Sequence, residues 1–230
     1  MVDKPPTLRA HQIRKRFDAD GPWVLAGVGL DVAAGARVAI VGPSGSGKST
    51  LLGILGTLEE PDEGGVSLGD ATYADLDSNG RAALRRASIG FVFQEHHLLP
   101  QCSVLQNVLL PLLARPSQRP TDGERARGHN LLDGLGLGDR LNAWPHQLST
   151  GQRQRVAVAR ALIASPTLIL ADEPTGSLDR VGAYALVQLL FEHAGSAAVV
   201  VVTHSERVAS ACDRVMELSD GHLVERGARS

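Results

Sequence analysis

Residues 37–41, Arg-Val-Ala-Ile-Val, lead straight into Gly42-Pro43-Ser44-Gly45-Ser46-Gly47-Lys48-Ser49. Leu51, Leu52, Ile54, Leu55 and Leu58 then follow a helical period, with a stop expected near the Glu-Glu-Pro of residues 59–61. A buried strand, a glycine-rich turn and a helix in that order commit the chain to an α/β fold. The turn fits G-x-x-x-x-G-K-S, which implies a bound nucleotide phosphate. Its glycines let backbone N–H groups approach phosphate oxygens with no Cβ in the way, and the helix start adds the positive end of a dipole. The spacing assigns the Lys48 ammonium to the β- and γ-phosphates, the Ser49 hydroxyl to Mg²⁺ and Thr50 to the α-phosphate.

A second apolar run, residues 167–171, ends in Asp172 and Glu173. Two unpaired carboxylates are costly to bury side by side, so they belong at an exposed strand end beside a cation. Alternation along a strand sends consecutive side chains to opposite sides. Asp172 is therefore expected on the metal, directly or through water. Glu173, facing elsewhere, is expected to polarise an attacking water as general base.

The rest of the chain alternates in kind. Residues 8–32 read as β, with Val28, Leu30 and Val32 in alternation, and residues 66–68 and 89–93 are further strands. Ser103 and Gln106 form a capping-box pattern ahead of a stripe at Val104, Leu105, Val108, Leu109, Leu112 and Leu113. Pro111 inside it predicts a kink or an early stop. Residues 115–120 read as loop. Thr121 and Glu124 open a second capped helix toward Leu135, so residues of about 100–165 look like a helical insert. The α/β alternation then resumes: a helix over 180–193, a buried strand over 197–203 and a short helix over 206–212. Residues 214–218 and 223–225 flank a hairpin turn centred on Asp220-Gly221.

Bulk properties exclude several classes. The formal charge is −2, which asks for no nucleic acid. Cys102 and Cys212 stand far apart with no Cys-x-x-Cys, which fits a reducing compartment and small hydrophobic roles rather than nucleophiles. The N-terminal residues lack the apolar stretch of a signal peptide. The longest apolar run, residues 197–202, is far short of a membrane span, so a partner is expected to supply any membrane part. His96-His97 resembles a metal pair, but no Cys or carboxylate set surrounds it.

Taken together, these residues resemble the ATP-binding subunit of ABC transporters over nearly the whole chain. Leu148-Ser149-Thr150-Gly151-Gln152 matches the signature motif, with Thr150 where the family usually has Gly. Gln94 matches the Q-loop, Ser177-Leu178-Asp179 the D-loop and His204 the switch histidine, and Phe17 stands where the family sets an aromatic against adenine. The resemblance implies one domain over 1–230. Residues 1–99 and 166–230 would form a P-loop core with an antiparallel β subdomain, and about 100–165 a helical signature subdomain. It implies a catalytic set of Glu173, His204, Lys48 and Gln94, and Mg²⁺ held by Ser49, Gln94 and Asp172. ATP is implied between two head-to-tail copies, with Ser149, Gly151, Gln152 and Asp179 joining Phe17 and the phosphate loop as nucleotide contacts. Ser149 and Gly151 would start a helix running through Ala164, where an N-terminus offers an anion site. A β-branched Thr150 implies an ordinary helical φ there.

Residues 93–100, with 104–108 and 111–113, look like the ATPase subunit of bacterial lipoprotein-releasing complexes, near the macrolide-exporter and cell-division members. That subfamily implies an integral membrane subunit docked near residues 94–113 and a peripheral position on the cytoplasmic face of the bacterial inner membrane. The alternative is a soluble ABC ATPase such as one serving iron–sulfur cluster assembly. A chromosome-structure ATPase would need a long coiled coil before the signature, and no sustained heptads occur there. A catalytically dead regulator is disfavoured by the presence of Lys48, Asp172, Glu173 and His204.

Overall fold

Alternating apolar residues on parallel strands feed two cores, one on each side of a single sheet. The computed structural model describes residues 6–114, 119–176 and 178–227. In chain order the strands and α-helices are β1 (Pro6–Lys15), β2 (Leu25–Ala33), β3 (Arg37–Val41), α1 (Lys48–Leu55), β4 (Glu63–Leu68), β5 (Ala71–Thr72), α2 (Ser78–Ser88) and β6 (Ile89–Phe93). There follow α3 (Val104–Leu113), α4 (Asp122–Gly134), α5 (Thr150–Leu162), β7 (Leu168–Asp172), α6 (Arg180–His193), β8 (Ala198–Val202), α7 (Glu206–Ala209), β9 (Arg214–Ser219) and β10 (His222–Glu225). An antiparallel sheet runs β2-β1-β4-β5, and a larger one runs β10-β9-β3-β8-β7-β6. In the larger sheet β9, β3, β8, β7 and β6 are parallel neighbours, and β10 pairs antiparallel at the edge.

The strand period of two divides the side chains. Leu168, Leu170, Val200 and Val202 pack with α1 and the small sheet. Ile169, Ala171, Val199 and Val201 pack with α3, α4, α5 and α6. Helix α1 is thus held between two sheets, and the helical insert sits on the far face.

Several element ends differ from expectation. Helix α1 stops at Leu55 with Gly56 as its C-cap, not near residues 59–61. Thr57 takes a left-handed φ of 58°. Arg85 Nη1 from α2 donates to Thr57 O at 2.8 Å and Thr57 Oγ1 at 3.1 Å, holding a conformation a β-branched residue avoids. Leu58 therefore leaves the helix and lies half exposed. Helix α5 ends at Leu162 rather than Ala164, where Arg127 Nε and Nη2 donate to the Ile163 and Leu162 carbonyls at 3.1 Å each. Helix α7 ends at Ala209 rather than residue 212. The N–H groups of Ala211 and Cys212 fall back to i−3 carbonyls, the tighter winding of a fraying end. Helix α2 has no counterpart in the sequence reading. It buries no residue fully and starts on Asp77, whose Oδ1 accepts the Gly80 N–H at 2.7 Å.

The capping boxes at Ser103/Gln106 and Thr121/Glu124 form as expected, and α3 stops at Leu113, just past Pro111. Asp220 and Gly221 both have positive φ, 51° and 75°, the type I′ geometry suited to the β9–β10 hairpin. Burial pushes the Cys212 thiol up to about 12, which makes it unreactive. Of the expected loop over 115–120, residues 115–118 lie outside the described residues.

Candidate active site

The sheet order brings distant motifs to one edge. Gly42 follows β3, Thr203 and His204 follow β8, Asp172 ends β7 with Glu173 after it, and Gln94 follows β6. These strands are parallel neighbours, so all four loops leave from their carboxyl ends, where open α/β sheets bind ligands.

The phosphate loop is shaped by its own backbone. Gly42 has φ 151°, and a Cβ there would fall 2.2 Å from Leu218 O. Gly47, left-handed at φ 94°, is the N-cap of α1, and no side chain caps this helix. The first-turn N–H groups of Lys48, Ser49 and Thr50 are therefore open to an anion. Lys48 is buried, its Nζ donating to Gly42 O at 3.1 Å and Pro43 O at 2.7 Å. Ser46 Oγ is buried with no hydrogen-bond partner, a polar group oriented for a ligand. Ser44 and Gly45 form an exposed rim, and Trp23, Asp220 and Gly221 line the adjoining hollow. Arg14 and Arg16 sit 5.6 Å and 4.7 Å from the Trp23 ring centroid, which packs the ring against the two guanidinium groups. Phe17 is 65% exposed, with Lys15 Nζ 5.6 Å from its ring, free to receive a flat base.

Glu173 departs from the simple strand expectation. Strand β7 ends at Asp172, and Glu173 turns to a left-handed φ of 44°. Its carboxylate meets His204. Oε2 accepts the His204 backbone N–H at 3.3 Å, and Oε1 lies 3.2 Å from His204 Nε2. That second approach is close but poorly aligned, so Oε1 stays buried without a hydrogen bond. Burial raises the Glu173 carboxyl above its ordinary range, partly opposed by His204. A carboxylate with one oxygen anchored and the other desolvated suits a general base. Gln94 is exposed and packs against Gly176 on the loop after Glu173. Asp179 caps α6, Oδ1 accepting the Gly182 N–H at 2.7 Å, and Ser177 lies outside the described residues.

The signature turn stands apart from the phosphate loop. Thr150 is the first residue of α5, with the helical backbone its branched side chain implied. Ser149 Oγ accepts the Gln152 N–H at 3.3 Å, and Gln152 Oε1 accepts the Ser149 N–H at 2.9 Å. The Gln152 amide oxygen thus serves the cap, while the Ser149 O–H and the N–H groups of Thr150 and Gly151 remain for an anion. Arg153 forks onto Leu148 O at 2.6 Å and Thr150 Oγ1 at 3.0 Å, and His96 Nε2 lies 3.2 Å from Thr150 O. Gly151 faces Leu178. Among the described residues, no hydrogen bond of this turn reaches the phosphate loop. The sequence reading missed Arg153 and His96; the i, i+3 spacing from Thr150 to Arg153 was the available signal for the first.

Within residues 94–113, the apolar stripe of α3 is mostly interior. Val104, Val108, Leu109 and Leu112 are buried against α4 and α5, and only Leu113 is well exposed, because the insert needs that face for its own core. An open apolar groove lies beside it, walled by Phe91 and Phe93 of β6, Pro111 and Ala114 at the end of α3, Leu58, and Arg85, Arg86 and Arg160. Among the described residues, no helix is long and apolar enough to cross a membrane.

Comparison with known proteins agrees with this arrangement. Residues 25–176 match the family described as ABC transporter. The lipoprotein-releasing system ATP-binding protein LolD 1 of Rhodopirellula baltica is 49% identical over 206 residues, 89% of each chain. The lipoprotein-releasing system ATP-binding protein LolD of Bordetella pertussis is 46% identical over 226 residues, 96% of each chain. A solved dimeric, post-hydrolysis state of an ATP-binding cassette bound to ADP and Pi superposes with a TM-score of 0.85 at 39% identity, covering 97% of this chain and 99% of that one.

Proposed function

We propose that this chain, which belongs to the ABC transporter family, drives an integral membrane partner by clamping ATP between two copies of itself. It is an ATP-binding, ATP-hydrolysing subunit of that family. One observation carries the clamp: the phosphate loop and the signature turn are both anion-ready helix starts, yet they lie apart in one chain. Each is half of a site, and a two-fold, head-to-tail pair completes both halves at once. The domain would then divide as its sequence implies, with residues 1–99 and 166–230 as the core and about 100–165 as the signature subdomain.

ATP lies with Phe17 against its base and its phosphates on the start of α1, where Lys48 exchanges the Gly42 and Pro43 carbonyls for the β- and γ-phosphates. Ser49, Asp172 and Gln94 offer only oxygen donors, which suit Mg²⁺ over softer metals. When bound, Mg²⁺ neutralises charge on the β- and γ-oxygens. Ser149, Thr150 and Gly151 of the second copy close on the γ-phosphate. ATP binds the closed pair better than the open one and so shifts the population. Glu173 takes a proton from the water that attacks the γ-phosphorus, and His204 steadies both Glu173 and the γ-phosphate. Loss of the γ-phosphate contact opens the clamp.

The similarity to lipoprotein-releasing ATPases supports lipoprotein release, or a related force-transmitting export process, as the work done. The groove between β6, α3 and α5 is the surface for the membrane subunit, and the chain sits peripherally on the cytoplasmic face of the bacterial inner membrane. Purification from membranes tests this. An integral protein should co-purify, and the pair in proteoliposomes should release lipoprotein with ATP. Recovery of the chain from the cytosol alone would favour the soluble, iron–sulfur type of ABC ATPase.

A further inference from the structure

The segment after β6 is stitched to α5 by side chains that the sequence motifs do not include. Gln154, fully buried, donates from Nε2 to Phe93 O at 3.0 Å. Arg160 donates to His96 O and His97 O, each at 2.7 Å, and so holds His97 in its left-handed φ of 46°. With the backbone fixed this way, the His96 ring reaches the first residue of α5, its Nε2 lying 3.2 Å from Thr150 O. A carbonyl oxygen can only accept, so Nε2 is the donor.

The Thr150 carbonyl and the Gly151 N–H belong to one peptide unit. That unit is planar and trans, so a bond that fixes the direction of the C=O fixes the opposite direction of the N–H. A donor on the oxygen also draws charge along the amide and makes its N–H a stronger donor. Among the N–H groups the cap leaves open in this turn, the Gly151 N–H is the one whose peptide oxygen is held by a side chain from outside α5.

We propose that His96 is a positioning residue: through the Thr150 carbonyl it aims and strengthens the Gly151 N–H that meets the γ-phosphate of the second copy. This rests on the clamp reading above. His97 and Arg160, the neighbours that set His96, also line the apolar groove. The aim of the signature turn is therefore mechanically continuous with the groove wall.

The test uses the full chain carrying Glu173→Gln, with ATP titrated against dimer formation by size-exclusion chromatography. If that protein stays monomeric at saturating ATP, the clamp reading itself fails. Given a dimer, adding His96→Ala should raise the ATP needed for half-dimerisation about 10-fold, the size expected for losing one hydrogen bond at each of two sites. His96→Gln, whose amide Nε2 can reach the same carbonyl, should restore most of it. His96→Leu, which keeps bulk and lacks a donor, should not, and this pair decides the matter should the alanine variant fold poorly. The Gly151 amide proton resonance should move upfield in His96→Leu and return in His96→Gln. Dimerisation of His96→Leu at the parent ATP concentration, or a stationary Gly151 resonance, overturns the proposal.

Discussion

Helices α1 and α5 both begin at an anion site, and they are built on opposite plans. The start of α1 has no side-chain cap; left-handed Gly47 and the positive-φ glycines before it shape the turn, and no side chain takes up its first N–H groups. The start of α5 is capped reciprocally by Ser149 and Gln152, and its carbonyls are held by Arg153 and His96. The first is a strong, many-donor site that can take a triphosphate alone. The second has given up part of its donor set to its own cap and offers few contacts in a fixed direction. A weak, rigid site is what a reversible clamp needs, since a second site as strong as the first would not let go.

That contrast can be broken or sharpened by experiment. The largest effect is expected at the strong site: Lys48→Ala should cut ATPase by more than ~1,000-fold, by loss of a charge-assisted contact and of the transition-state charge it neutralises. Unchanged turnover would remove the phosphate loop from the mechanism. Next comes Glu173→Gln, which should lower kcat ~1,000-fold while nucleotide binding persists and a dimer accumulates. In the wild type, burial holds the Glu173 carboxyl above the usual carboxylate range. Activity should therefore fall, as pH is lowered, at a higher pH than an exposed Glu would give, and return as pH rises through that limb; a kcat–pH profile reads this. At the weak site, Ser149→Ala should cost ~1 kcal/mol of stability as a lost N-cap. It should also raise the ATP needed for dimerisation, with little change in ATP binding measured on the monomer by nucleotide fluorescence. Equal damage to both would erase the distinction between the sites. The smallest effect is expected from Thr150→Val, which removes one arm of the Arg153 fork: about a 3-fold rise in the ATP needed for dimerisation.

The same contrast explains what was legible in the sequence. The phosphate loop depends on positive-φ glycines adjacent in the chain, so eight consecutive residues, Gly42 to Ser49, declare it. The buried strands around Ile40, Leu170 and Val200 announced themselves by apolar runs, and the meeting of Gln94, Asp172 and His204 at one edge followed once the strands were parallel. The support of the signature turn was not legible, because the 54-position separation of His96 and Thr150 leaves no local pattern. Nor was α2, which is mostly polar, buries no residue fully and has Leu84 as its one large apolar side chain. Leu58 was assigned to α1 because its spacing fits a helical face. Nothing local says that Arg85 pulls Thr57 into a left-handed turn and redirects the chain.

The left-handed backbone of Glu173 has a consequence for anyone seeking a hardier version of this protein. A non-glycine residue held there costs about 1–2 kcal/mol, and its carboxylate keeps one buried oxygen unbonded besides. Glycine at 173 would relieve both, while giving back part of the gain through a looser unfolded chain. A screen scored on heat tolerance alone would therefore be drawn to the position that performs the chemistry, and would reward its loss. Directed evolution of this chain needs turnover in the score from the first round.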